Sequence, residues 1–259
     1  MSPVTVITGA SGGIGEALAY CAAKAGRKLV LVARSADKMK AVAEKIVALG
    51  APAPEIVALD LSDPKSGEAL AATLRQKNLK VFELVNNAGY GLAGPVEALD
   101  AADQVGMVDL NMRALTDLTL RFLPEILEGS DGSLGGILNV ASTAAFQPGP
   151  NMAVYYASKA YVLSFSEAIW FELRGRARVT CLCPGPVPTG FQERASKGKG
   201  LWFAQFSTTS LAYVASRGWE RFQRGQRVVV PGVMNEIFTT LAPLSPKALV
   251  LWIASKIAR

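Results

Sequence analysis

Thr8-Gly9-Ala10-Ser11-Gly12-Gly13-Ile14-Gly15 is the stretch whose reading decides the fold. It follows the β-branched run Val4–Thr8 and precedes Ile14–Lys24, which reads as a helix with Gly26 as its stop. A turn that offers backbone N–H groups to a pyrophosphate cannot carry side chains at the closest approach. Glycine also permits positive φ and close helix–strand packing. The helix that follows aims its N-terminal dipole at the phosphates. Gly9, Ser11, Gly12, Gly13, Ile14 and Gly15 are therefore the expected phosphate-side contacts. The spacing differs from G-x-G-x-x-G, so this is not the plain dinucleotide fingerprint.

Working outward, strand-like and helix-like segments alternate. Lys28–Ala33 is apolar after its first residue, as a strand buried on both faces should be. Ala36–Leu49, Glu55–Leu59, Pro64–Gln76 and Phe82–Asn86 continue as helix, strand, helix and strand. Pro64 is expected near the first turn of its helix, where a missing N–H matters little. Ala101–Leu127 reads as one long or two abutting helices, Ile137–Ala141 as a strand, Ala153–Leu173 as a helix and Val179–Cys183 as a strand. Ser210–Arg224 (helix), Arg227–Val230 (strand) and a last helix capped by Ser245 and Pro246 complete the reading. The pattern predicts an α/β fold, a doubly wound parallel sheet (Rossmann-like) in three α/β/α layers. One domain over residues 1–259 is expected, with a substrate lid at about 190–209 and an apolar segment at about 233–259.

Composition narrows the function. The chain has 50% hydrophobic and 19% charged residues, a net charge of +6 and no His. Without imidazole there is no His-based triad and no His-ligated metal, and no metal site is expected. The basic residues are scattered, which argues against nucleic acid and for a phosphate-bearing small ligand. Cys21, Cys181 and Cys183 form no C-x-x-C pair and read as reduced, buried thiols. The first residues carry no leader pattern and no run is long enough to span a bilayer, so a cytoplasmic location is expected.

The end of the second strand selects the dinucleotide. NAD sites usually place Asp or Glu there to hold the ribose 2′-OH. Here Val32-Ala33-Arg34-Ser35 has no acid, and Arg34 can pair with a 2′-phosphate. NADP(H) is thus favoured over NAD(H). Asp37 is the opposing feature, although the first turn of a helix favours a carboxylate for its own reasons.

Tyr155 and Lys159 are four apart on a predicted helix and share a face. A free Tyr has a pKa near ~10, too high for ready proton transfer at neutral pH, and an adjacent ammonium is expected to lower it. Tyr155 can then give a proton to a carbonyl oxygen or take one from an alcohol. Ser142 can bond the same oxygen, and Asn111 can hold a water that links Lys159 to solvent.

Taken together, Thr8–Gly15, Asn86-Asn87-Ala88-Gly89, Asn111, Ser142, Tyr155-x-x-x-Lys159 and Pro184-Gly185 resemble the motif series of the short-chain dehydrogenase/reductase family, in its order and spacing, over about residues 4–190. The resemblance implies that Tyr155 is the acid/base, that Lys159 also binds the nicotinamide ribose, that Ser142 orients substrate and that Asn111 completes a proton relay. It implies that Asp60 and Leu61 contact adenine and that Asn87, Ala88 and Gly89 line the cofactor near its ribose. Pro184, Gly185, Val187 and Thr189 would fix the carboxamide. Arg34 matches the NADP-preferring pattern, while Gly12 stands where some NADP members carry a second basic residue. Relatives are commonly dimers or tetramers, so a homo-oligomer is expected.

The implied partner is a small-molecule carbonyl or alcohol, with Phe191, Leu201, Trp202, Phe203 and Phe206 pointing to a bulky or apolar one. The apolar tail, with Leu249, Val250, Leu251, Trp252, Ile253 and Ile257 flanked by Lys247, Lys256 and Arg259, is expected to pack on its own domain or a second subunit, with membrane-surface contact the lesser reading. Two other functions are weighed: a non-catalytic NADP-binding sensor or partner protein, and a sugar-nucleotide epimerase or dehydratase, whose glycine spacing usually differs.

Overall fold

The computed structural model describes residues 1–130, 132–187 and 209–257. Strand β1 (Ser2–Thr8) runs into the glycine turn and helix α1 (Gly13–Lys24). Then come β2 (Leu29–Ala33), α2 (Ala36–Ala48), β3 (Glu55–Ala58), α3 (Ser66–Gln76) and β4 (Leu79–Asn86). Helix α4 (Ala101–Val108) passes through a π-helical turn, Asp109–Ala114, into α5 (Leu115–Glu128). β5 (Gly136–Val140), a 3-10 turn (Thr143–Phe146), α6 (Ala153–Glu172) and β6 (Arg178–Leu182) follow. After residue 208 come α7 (Leu211–Gln223), β7 (Val228–Val229), α8 (Val233–Leu241) and α9 (Lys247–Ile257).

The seven strands are all parallel, in the order β3-β2-β1-β4-β5-β6-β7. Alternate side chains along each strand feed two cores. Ile7, Leu31, Val85, Leu138 and Leu182 face α1, α2 and α7. Val4, Val6, Val30, Val32, Leu84 and Ile137 face α3 and α5. This is the doubly wound, three-layer arrangement that the alternation predicts. The order reverses between β1 and β4, which opens a crevice at the strands' C-terminal ends.

Some boundaries differ from the sequence reading. Helix α3 begins at Ser66, so Pro64 lies in the preceding turn, where the Asp63 carboxylate accepts from Lys65 N at 2.8 Å and its carbonyl from Ser66 N at 3.0 Å. The tail holds two helices where the sequence suggested one; Val233, Met234 and Trp252 stand exposed on them and Leu244 on the 3-10 turn between. No helix among the described residues is long and apolar enough to cross a membrane. Cys181 and Cys183 are buried, as expected, but Cys21 is only half-buried.

Two buried polar groups stand out. Glu83, in mid-β4, is fully buried and accepts from Thr5 Oγ1 (2.6 Å), Gln223 Nε2 (3.0 Å), Arg178 Nη2 (2.9 Å) and Arg27 Nε (3.2 Å). The second is a row of side chains beneath the crevice. Asn86 Nδ2 donates to Thr119 Oγ1 (3.0 Å) and Asn139 Oδ1 (2.9 Å). Asn139 Nδ2 donates to Ser166 Oγ (2.9 Å), which donates to the Val162 carbonyl (2.6 Å). Asn86 and Asn139 are directly paired across β4 and β5.

Candidate active site

A cleft of about 870 Å³ lies along the C-terminal strand ends. One wall is the glycine turn. Gly9 and Gly13 have φ of 64° and 58°, where side chains are disfavoured. Gly15 lies outside the cleft lining, and a Cβ there would run into the Gly9 carbonyl and Asn87, so its role is close packing of α1 on the turn. Ser11, Gly12, Gly13 and Ile14 line the cleft, and the space beside Gly12 is open.

Asn87 ties this turn to β4. Its Nδ2 donates to the Thr8 carbonyl (2.9 Å) and the Gly9 carbonyl (3.2 Å), while its N–H donates to Thr8 Oγ1 (2.9 Å). Asn87, Ala88 and Gly89 all line the cleft, as do Asp60 and Leu61. Two hydrogen bonds from Ser62, hydroxyl and backbone N–H, hold the Asp60 carboxyl below its ordinary range, with the Arg34 charge assisting.

Arg34 lines the cleft at the end of β2. So does Lys38, in the first turn of α2, which sequence reasoning missed. Asp37 does not line the cleft; its exposed carboxylate pairs with Lys40 at 3.2 Å.

At the other end the structure brings Ser142, Tyr155 and Lys159 together. Ser142 caps the 3-10 turn, accepting from Ala144 N at 3.1 Å, and also hydrogen-bonds the Tyr155 hydroxyl. Lys159 is buried, donates to the Val140 carbonyl at 2.9 Å and lies 5.9 Å from the Tyr155 ring centre. The lowered tyrosine pKa expected from the sequence is not found. Burial pushes Tyr155 up to about 12, with the Ser142 bond pulling the other way. Burial also brings the Lys159 ammonium down to about 8.

Asn111 sits in the π-helical turn, not in regular helix, and is buried. Its side chain accepts from Tyr90 N (3.1 Å) and donates to the Tyr90 carbonyl (2.9 Å) and Ser158 Oγ (3.0 Å). Ser158 in turn donates to the Tyr155 carbonyl at 2.7 Å. The Asn111 amide is therefore a brace between the segment after β4 and the backbone of α6.

Pro184, Gly185 and Val187 line the cleft, whereas Thr189 and nearly all of the expected lid at 190–209 lie outside the described residues. Asn235 and Phe238 of α8 complete the lining, a contribution that tail sequence did not signal. Asn235 is held by a bond to the Pro231 carbonyl at 2.7 Å. Among the described residues no cluster suits a metal ion. The cleft thus has the glycine turn at one end and Ser142, Tyr155 and Lys159 at the other.

Residues 3–200 match the family model described as short chain dehydrogenase. The chain is 37% identical over 193 residues to a sulfoacetaldehyde reductase of Chromohalobacter salexigens, covering 74% of this chain and 75% of that one. Among solved structures it resembles a short-chain dehydrogenase from Sphingobium yanoikuyae in complex with NADPH, with a TM-score of 0.79, 27% identity and coverage of 95% and 97% of the two chains. It equally resembles a short chain dehydrogenase/reductase from Burkholderia phymatum in complex with NAD, with a TM-score of 0.79, 26% identity and coverage of 93% and 92%.

Proposed function

The chain belongs to the short-chain dehydrogenase family, and we propose on that premise that it is an NADP(H)-dependent oxidoreductase acting between a carbonyl and a secondary alcohol, on one domain, with Tyr155 as general acid/base. The observation that carries this reading is the Ser142–Tyr155 hydrogen bond in the same cleft as the glycine turn.

The bound nicotinamide supplies or accepts the hydride. The backbone of the turn, with Ser11 and Ile14, holds the pyrophosphate at the start of α1. Arg34 and Lys38 hold the 2′-phosphate, and no acid from β2 or α2 reaches the cleft to repel it. Asp60 and Leu61 would contact adenine, and Asn87, Ala88 and Gly89 the ribose. Pro184, Gly185, Val187 and Thr189 would set the nicotinamide face. Ser142 and Tyr155 together hold the reacting oxygen. In reduction the phenol donates its proton as the hydride arrives. Lys159, charged below about pH 8, stabilises the phenolate left behind.

Cofactor choice is the first test, because one similar structure is bound to NADPH and another to NAD. Nicotinamide fluorescence titrations should give tighter binding of NADPH than of NADH. Arg34→Glu should weaken NADPH by about tenfold or more, the loss of one charge-assisted contact, and leave NADH nearly unchanged. Lys38→Glu should do the same. Stronger NADH binding by the unmodified protein would overturn the NADP assignment. Tight NADPH binding without turnover on any carbonyl or alcohol would favour a sensor or partner protein.

The pH dependence follows from Tyr155. Because burial holds it protonated at neutral pH, carbonyl reduction starts from the donor form and should be level across the neutral range. Alcohol oxidation starts by taking up a proton and should climb into the alkaline range. Initial rates in both directions against pH decide this; a reduction rate that falls through neutrality would mean that the phenol titrates there.

The substrate end of the cleft is lined by Ala144, Gln147, Met152, Tyr156, Val187 and Phe238. Among the described lining residues the cations are Arg34, Lys38 and Lys159; at this end only Lys159 is present, buried and bonded to the Val140 carbonyl, so a sulfonate would find no further counter-charge among them. That favours an uncharged, bulky or apolar carbonyl.

A further inference from the structure

The catalytic cleft has a neighbour. A second recess of about 610 Å³ lies against the outer side of α6. Its walls are apolar: Phe146, Pro148, Pro150, Ala157 and Ala160, with Leu251 of α9 across from them. Gln147 and Tyr156 line both spaces, so these two side chains are the partition between them.

The two halves of the partition differ. Tyr156 is fixed. Its ring meets Tyr155 edge-on, with centroids 6.1 Å apart at 80°. On the other side the chain lies flat over it at Gly149, where a Cβ would overlap the ring. The flanking Pro148 and Pro150 restrict that stretch further. Gln147 ends the 3-10 turn, has three rotatable side-chain bonds and holds its place by a side-chain hydrogen bond with Tyr156. Gln147 is thus the half of the partition whose displacement would join the cleft to the recess.

We propose that this recess seats the larger apolar substituent of the carbonyl substrate, with Gln147 and Tyr156 as the specificity residues at its entrance. The inference rests on the oxidoreductase reading above. The recess adjoins the site across that partition, is large enough for an extended apolar group and presents no charged side chain among its described lining residues. An apolar arm gains from burial there and a charged one does not.

Straight-chain methyl ketones from butanone to dodecanone test it, assayed with NADPH. kcat/KM should rise with chain length, by up to about fourfold per methylene where the chain is fully buried. Ala157→Phe, placed at an exposed position of α6 facing the recess, should abolish that dependence. Gln147→Ala should raise kcat/KM for dodecanone by severalfold. A chain-length series that is flat in the unmodified protein, or equally steep in Ala157→Phe, overturns the proposal. An unchanged dodecanone rate in Gln147→Ala overturns the part given to Gln147.

Calorimetric titration of dodecanone and butanone into NADP⁺-loaded protein separates this idea from the chemistry. If no ketone turns over but affinity follows chain length and is lost in Ala157→Phe, the recess stands and the proposed reaction falls. Gel filtration of the same variant covers the remaining case: a changed oligomeric state with an unchanged affinity series would make the recess an interface between two copies, and the proposal fails. Ala153→Phe, also exposed beside the recess, repeats each measurement should Ala157→Phe fold poorly.

Discussion

Tyr155→Phe should lower kcat for carbonyl reduction by about two to four orders of magnitude, the usual contribution of a positioned acid/base, while NADPH still binds. The exchange removes one oxygen and keeps the ring, so the packing of Tyr155 against Leu92, Met107, Ala144 and Met152 survives. What is lost is the proton beside the substrate oxygen and the hydroxyl that Ser142 engages. A proton from water cannot replace it efficiently, because Tyr155 is buried at the inner end of the cleft. Single-turnover absorbance of bound NADPH measures the chemical step, and fluorescence titration measures binding. Turnover equal to that of the unmodified protein would remove Tyr155 from the mechanism and direct attention to Tyr156. Lys159→Met should also lower kcat, because the phenolate then forms without a neighbouring positive charge.

The second large effect lies far from the chemistry. Glu83→Ala should destabilise the fold by about 3–5 kcal/mol, the cost of breaking a buried ionic cluster by removing one partner. Arg178 is then the exposed fault: its side chain is only 15% accessible, burial already pushes its guanidinium below its usual pKa, and the Glu83 charge is what opposes that push. Arg27 adds a second cation at the same carboxylate. A loss of that size should lower Tm by roughly 6–20 °C in a chain of this length. Thermal melts and urea titrations would measure it. Glu83→Gln, which keeps one oxygen acceptor but drops the charge and turns the other acceptor into an NH2 donor, should fall between. Equal melting of Glu83→Ala and the unmodified protein would mean that the two arginines reach water without the acid.

The sheet, and the meeting of the glycine turn with Ser142, Tyr155 and Lys159 in one cleft, were legible in the sequence because both leave short-range marks. The turn from Thr8 to Gly15 needs small residues at fixed places, and buried parallel strands such as Leu29–Ala33 are apolar throughout. Tyr155 and Lys159 announce themselves by helical spacing. The residues that were missed have no such mark. Lys38 looks like any exposed helix lysine until β2 places α2 beside the cleft. Asn235 and Phe238 sit in a tail whose apolar character suggested a partner or a membrane, and only the return of α8 over Gly185 brings them to the site. Glu83 interrupts the apolar middle of β4, Val81–Val85, but its meaning depends on Arg27, Arg178 and Gln223 arriving from three distant segments. The ionisation of Tyr155 differs from the expectation for a related reason: spacing shows that a lysine is near, but not that the phenol is buried and raised by that burial against the pull of the Ser142 bond.

The row Asn86, Asn139, Ser166 under the crevice acts as a proofreader of assembly. Side chains alternate faces along a strand, so a slip of β4 against β5 by a single residue would turn one asparagine away from the other. Each stranded amide would then forfeit about 1–3 kcal/mol. Apolar neighbours such as Leu84, Val85 and Leu138 tolerate many mispairings, since one aliphatic contact resembles another. Two amides that must meet head-on do not, and they lie one residue below Asn87 and the phosphate turn it holds. The alignment that places the glycine turn opposite Ser142, Tyr155 and Lys159 is thereby selected while the chain folds, before any ligand is present to enforce it.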